Sequence, residues 1–378
     1  MAVKTFRIPN TIHYGAGALE LLGSTTAQVG LRRVLIVTDA GILSMGLVAR
    51  AAKILAGSGI ESAVFAGVRP DPTVENVEAG LKCFRSESCD GIVAIGGGSP
   101  IDCAKAISVQ HTNPVALSQF MGQEKISEAG VPVVAVPTTA GTGSEATRIM
   151  VITDTQRDVK MMIASRFGVC AAAIVDPELT VSMPPSLTGP VGVDAMTHAI
   201  EAYVSRKSQP MTDVLALSAI RLIGANLRRA YQQGSDIEAR SAVMLGSLQA
   251  GMAFSNSSVA LVHGMARPLG ACFHLSHGQS IAVLLPVVTE FSLAASVERY
   301  RTIAEILGEA NLADGLLRLN RDLRIPTLRD LGIDVQRYES LLPKMAVDAM
   351  DSGSPANNPR LASPDEIIEL YRECWHVA

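Results

Sequence analysis

The 378-residue chain is poor in aromatic residues (4%) and in charge (18%), and it has no cysteine pair at Cys-x-x-Cys spacing. Little charge beside 48% apolar residues excludes a mainly disordered chain. Neither sign of charge dominates: 32 basic and 36 acidic residues leave a net −4, so neither nucleic acid nor an anionic membrane is expected as a partner. The six cysteines, at 83, 89, 103, 170, 272 and 374, read as reduced, mostly buried small apolar side chains. That fits a reducing, cytoplasmic setting. The longest apolar runs, such as 281–288, fall short of the ~20 residues of a membrane helix. The first residues have no apolar stretch like that of a signal peptide. At ~100–200 residues per domain, two domains are expected.

The halves differ in pattern. Short β-branched runs at 34–39, 62–65, 92–95, 133–136 and 173–175 alternate with helical stretches such as 47–56 and 73–85. Continuous apolar strands alternating with helices predict a parallel sheet covered on both faces. After about residue 180, alanine- and leucine-rich segments take over at 190–205, 211–231, 236–254, 257–271, 279–295, 297–310 and 313–322. The expected architecture is an α/β domain with a parallel sheet over residues 1–182 and an all-helical domain over 183–378, with a hinge at Pro184-Pro185-Ser186.

Gly96-Gly97-Gly98-Ser99 follows an apolar strand and opens a helix. Glycines at such a junction let backbone N–H groups approach a phosphate, with the helix dipole behind them. The alternative is an ordinary tight turn. A second loop, Pro137 to Glu145, brings hydroxyls and glycines to the end of another strand and suits a nucleotide. Asp39 ends the first clear strand, where a carboxylate accepts from a ribose diol and repels a 2′-phosphate; the alternative is a helix N-cap. Gly15-Ala16-Gly17 is read as a turn without strand-then-helix context.

Asp194 and His198, four residues apart on a helical pattern, share one face. His263 lies on an apolar helix disturbed by Pro268, and His277 opens another apolar helix before Gly278. One carboxylate and three imidazoles suit a divalent transition metal, Fe²⁺ or Zn²⁺. Core histidines satisfied by their neighbours are the competing explanation.

Taken together, Gly96-Gly97-Gly98-Ser99-x-x-Asp102-x-x-Lys105, the Pro137 to Glu145 loop, Asp194 to Tyr203, His263 to Gly270, His277-Gly278 and Asn358-Pro359-Arg360 resemble the iron-containing (group III) alcohol dehydrogenases over nearly the whole chain. The resemblance implies a dehydroquinate synthase-like fold with the active site between the two domains. It implies metal held by Asp194, His198, His263 and His277, with Fe²⁺ first and Zn²⁺ as the alternative. It also implies NAD(P) at Gly97, Gly98 and Ser99, with Asp102, Thr138, Thr139, Thr147 and Lys160 at further contact positions. Asp39 matches the position that favours NAD(H) over NADP(H). The implied reaction is hydride transfer between nicotinamide and a small alcohol or aldehyde, in a homodimer or larger homo-oligomer. A transhydrogenase, and a glycerol dehydrogenase- or dehydroquinate synthase-like enzyme, are the alternatives on this fold.

The sequence departs from the family pattern at Arg267, where many members carry a second histidine. Arginine stays charged and is no general base. Arg267 is therefore expected either to contact an anionic substrate group or to pair with a surface carboxylate. His274 is expected to be a loop residue.

Overall fold

The computed structural model describes residues 3–157 and 159–376. In chain order, the first unit contains β1 (Thr11–Tyr14), α1 (Leu22–Gln28), β2 (Arg33–Asp39), α2 (Ala40–Ser44), α3 (Leu47–Gly57), β3 (Glu61–Val68), α4 (Val74–Ser86), β4 (Gly91–Gly96), α5 (Gly98–Thr112), β5 (Gly122–Gln123), β6 (Val133–Pro137), β7 (Ile149–Asp154), β8 (Val159–Ala164) and β9 (Ala172–Val175). Six strands form a parallel sheet in the order β1-β9-β6-β4-β2-β3, and β5-β8-β7 form a small second sheet.

The parallel sheet is apolar on both faces because helices cover both. Leu35, Val37, Ile92, Ala94, Val133 and Ala135 join Val77, Phe84 and Ile107 of α4 and α5 in one core. Their alternates Val34, Ile36, Val93, Ile95, Val134 and Val136 join Leu22, Val48, Ala51 and Leu55 of α1 and α3 in the other. Two buried faces are why these strands read as continuous apolar runs rather than alternating ones.

The second unit holds α6 (Pro185–Val204), α7 (Pro210–Gln232), α8 (Ile237–Ser257), α9 (Leu261–Phe273), α10 (His277–Ser292), α11 (Val297–Leu307), α12 (Leu312–Asp322), α13 (Val335–Asp351) and α14 (Pro364–His376). The division between units falls after Thr180, and residues 3–6 group with the helices. Pro268 lies inside a continuous α9 rather than breaking it.

Two expectations need correction. Gly15-Ala16-Gly17 does have strand-then-helix context, lying between β1 and a 3₁₀ turn that leads into α1. Its anion is the protein's own: the Asp176 carboxylate accepts from Gly17 N (3.3 Å) and Leu19 N (3.0 Å). The segment His277–Ala295 is also long and apolar enough, by length and composition, to cross a membrane. Counting unbroken apolar runs missed it, because its mean hydropathy averages over interspersed Ser, Gln and Thr. Within the fold it is packed as a core helix, with Ile281, Ala282, Leu284 and Leu285 almost wholly buried.

Candidate active-site residues

In the α/β unit three expected cofactor segments sit at the carboxyl ends of adjacent strands. Asp39 ends β2, Gly96 ends β4, and Pro137 pairs in register with Gly96 at the end of β6. Gly96 has φ +149, and a Cβ there would press within 2.6 Å of Pro100, so the turn into α5 demands glycine. A Cβ on Gly97 would stand 3.3 Å from Thr139, and one on Gly98 3.0 Å from Thr142. The two loops therefore face each other closely, with Gly97 beside Thr139 and Gly98 beside Thr142, a loop residue the sequence reading did not single out as a cofactor contact. Thr138 is buried and ties the loops together by donating its N–H to Gly96 O (2.9 Å).

Many other helices in the chain are capped by side chains, such as Thr73 on α4, Asp236 on α8 and Ser276 on α10. The 15-residue α5 has Gly97 at its N-cap and no side-chain cap among the described residues. Its N-terminal N–H groups, Ser99 included, are the anion-accepting end of a helix.

The remaining residues of this set divide by task. Asp39 caps α2 by accepting from Ile42 N (3.0 Å), while its Oδ2 lies 3.4 Å from where a Gly96 Cβ would be. One oxygen thus serves the helix and the other borders the glycine loop. Asp102 lies beneath the second loop, accepting from Ser144 Oγ and from Val151 N (2.9 Å). Thr147 joins the oxygens around buried Lys105, whose Nζ donates to Ser144 Oγ (3.0 Å), Thr147 O (3.0 Å) and Ile149 O (3.0 Å). Lys160 on β8 pairs with Asp71 at 2.9 Å.

In the helical unit a second set converges on one atom. Asp194 Oδ1 lies 3.4 Å from His263 Nε2, 3.6 Å from His277 Nε2 and 3.8 Å from His198 Nε2. Asp194 and His198 come from buried α6, His263 from the first turn of α9 and His277 from the first residue of α10. Asp194, His263 and His277 offer ligand atoms all within 4.8 Å of one another, and His198 flanks them. Phe254 stacks on the His198 ring at 4.2 Å, which in turn stacks on His263 at 4.4 Å. Gly278 lets α10 approach: a Cβ there would collide with the Pro190 carbonyl at 2.7 Å, one turn before Asp194.

Asp194 Oδ1 and His263 Nε2 are both buried and have no hydrogen-bond partner among the described residues. Leaving such atoms unpaired is costly. Ligands at 2.0–2.2 Å from a tetrahedral metal stand about 3.4 Å apart, close to these separations. The donor set therefore fits a divalent metal better than it fits a hydrogen-bond network.

The electrostatics agree. Burial opposes ionisation of Asp194, but His198, His277 and His263 outweigh it and hold the carboxyl well below the usual carboxylate range. Burial likewise disfavours charge on His263, yet Glu201 and Asp194 push its pKa up to about 9. Sequence reasoning missed Glu201. It is buried on α6 and accepts from His263 Nδ1 at 2.6 Å. Its signal was its place, seven residues after Asp194 and three after His198, on the face those two define.

Arg267 is partly buried on α9, one turn beyond His263. Burial lowers its pKa from the usual value, with the Glu201 charge opposing. His274 is exposed at φ 55 and ends α9, as expected of a loop residue.

The sequence model described as iron-containing alcohol dehydrogenase matches residues 9–177, and that of the C-terminal domain of the same family matches 189–375. The 1,3-propanediol dehydrogenase of Klebsiella pneumoniae is 40% identical, with 98% of each chain covered. A crystal structure of a 1,3-propanediol oxidoreductase superposes with a TM-score of 0.95 at 40% identity, covering 99% of this chain and 100% of the other. The sulfoacetaldehyde reductase of Bifidobacterium kashiwanohense, solved with NAD⁺, superposes at 0.91 with 27% identity and full coverage of both chains.

Proposed function

The chain belongs to the iron-containing alcohol dehydrogenases, and we propose that Asp194, His198, His263 and His277 hold its metal, that it uses NAD(H) in preference to NADP(H), and that its substrate carries an anionic tail. The family assignment makes it an oxidoreductase, a metal-dependent alcohol dehydrogenase or aldehyde reductase. The observation that carries the metal assignment is the pair of buried, unpartnered atoms, Asp194 Oδ1 and His263 Nε2. Fe²⁺ is the metal proposed, with Zn²⁺ accepted by the same donors. When bound, metal and nicotinamide supply Lewis acidity and a hydride acceptor, so that an alcohol is oxidised by two electrons as NAD⁺ is reduced to NADH.

The chain's own residues bind and orient. Gly97, Gly98, Ser99 and the N-terminus of α5 take the diphosphate. Thr138, Thr139 and Thr147 shape the facing loop, and Asp102 holds that loop from below. Lys160 turns from Asp71 to the cofactor. Arg267 recognises the substrate's anionic group. The enzyme is proposed to act in the cytosol as a homodimer or larger assembly; light scattering of the purified protein tests the assembly. Apo-protein loaded with Fe²⁺ and assayed by NADH absorbance against a panel of small aldehydes tests the whole reading. Absence of turnover on every member would sink it.

Two outcomes follow from the site's charges. Asp39 beside the glycine loop repels a 2′-phosphate, so wild type should favour NAD(H), and Asp39→Gly should narrow the gap mainly by improving NADP(H). A wild-type preference for NADP(H) in steady-state kinetics rejects this role.

The second outcome concerns pH. His263 holds its proton up to about pH 9 in the metal-free fold, so metal must displace that proton below this pH. A pKa raised on folding stabilises the apo-protein below the unfolded value of ~6.5, and that contribution is lost as pH rises to about 9. Apparent Zn²⁺ affinity should therefore climb by roughly tenfold per pH unit across that window for this one proton. Thermal shifts on adding Zn²⁺ should grow in parallel, and a flat profile from pH 6.5 to 9 would contradict the assignment.

A further inference from the structure

We infer that Glu201 is the positioning residue of the metal centre: from α6 it caps α9 and fixes the ring of His263 so that Nε2 faces Asp194. The inference rests on the metal reading above. Helix α9 has Ala260 at its N-cap and no side-chain cap of its own. Glu201, buried on a neighbouring helix, takes that place. Its Oε2 accepts from Ala260 N (2.8 Å) and its Oε1 from Val262 N (2.6 Å). A carboxylate at a helix N-terminus also complements the dipole there.

The same Oε2 meets His263 Nδ1 at 2.6 Å. An ionised carboxylate only accepts, so Nδ1 must carry the proton. In the neutral ring that a metal would bind, the lone pair is therefore on Nε2, the atom that stands 3.4 Å from Asp194 Oδ1 with no hydrogen-bond partner among the described residues. One side chain thereby sets both where the first turn of α9 lies and which nitrogen the imidazole offers. Because Asp194, His198 and Glu201 lie on one helix, the carboxylate that orients the ring is rigidly spaced from the ligands it serves.

Glu201→Gln is nearly isosteric but carries an NH₂ that donates. Its single oxygen can fill the place of Oε2, facing Ala260 N and His263 Nδ1, or that of Oε1, facing Val262 N, but in either orientation the NH₂ opposes an N–H donor and the charge that favours the Nδ1 proton is lost. Competition with a chromophoric chelator should show Zn²⁺ bound ~10–100-fold more weakly than in wild type. In a His263→Ala background the same substitution should change Zn²⁺ affinity by no more than about threefold, because the ring it orients is gone. An equal factor in both backgrounds would make Glu201 a helix cap only and overturn the inference.

A measurement independent of the variant's folding is the ¹⁵N–¹H correlation of Zn²⁺-loaded wild type, where the His263 ring proton is expected on Nδ1. A proton on Nε2 overturns the inference. Wild type that binds Zn²⁺ tightly while Glu201→Gln matches it overturns the role of Glu201 and leaves the metal centre standing. Wild type with no tight Zn²⁺ binding overturns both.

Discussion

Asp194→Asn should abolish tight metal binding and, with it, nearly all turnover. Asp194 Oδ1 is the atom that all three imidazoles approach, at 3.4, 3.6 and 3.8 Å. It is also the sole anion among the four proposed ligands, on a side chain only 4% exposed. Asparagine keeps the shape but offers either a neutral carbonyl or an amide N–H that opposes the metal. A divalent charge would then sit in a buried site balanced by neutral rings alone, which is costly at low dielectric. The loss in affinity should exceed the ~100-fold that an outer-shell partner is worth.

The metal-free protein gives a second readout. Asp194 is depressed on folding, so it stabilises the apo-protein above the unfolded pKa of ~3.9, and that contribution fades as pH falls below it. Denaturant midpoints should drop more steeply between pH 5 and 3 in apo wild type than in apo Asp194→Asn. Full Zn²⁺ occupancy of the variant at wild-type affinity would remove Asp194 from the ligand set.

What could be read beforehand was what local pattern controls. The runs at 34–39, 92–95 and 133–136 were legible because both faces of those strands are buried, so all their residues but Thr38 and Asp39 at the end of the first are apolar. β1 escaped notice because Thr11–Tyr14 is four residues long and partly exposed, and its strand character comes from pairing with β9, far along the chain. The β7–β8 hairpin packs as a separate small sheet with mixed burial, and α13 and α14 carry charged outer faces that dilute their apolar stripes. At the site, Asp194 and His198 announced themselves by helical spacing. His263 and His277 did so less clearly: they start two other helices, so chemistry alone made them candidates beside core histidines, and the family resemblance joined them to the pair. Glu201 was overlooked for the same reason: its partners are at residues 260–263, and nothing local says that a helix begins there without a cap of its own.

Arg267→Met should cut kcat/KM on an anionic aldehyde by roughly 30-fold while leaving neutral short aldehydes much less affected. Arg267 follows His263 by one turn of an unbroken α9, so its Cβ lies on the face that carries a proposed ligand. The guanidinium is partly buried, and burial lowers its pKa from the ordinary value, but it remains a cation at any working pH. A fixed, partly desolvated cation there rewards a carboxylate, sulfonate or phosphonate with charge-assisted, bidentate hydrogen bonds. Unpairing a buried charge contact costs ~2–5 kcal/mol, and partial exposure places this one at the lower end, which is a factor of about 30. Methionine retains the aliphatic stem and removes only the charge, which separates recognition from packing. Equal losses on neutral and anionic aldehydes would mark Arg267 as a structural residue whose guanidinium serves Glu201 and its surroundings instead of substrate.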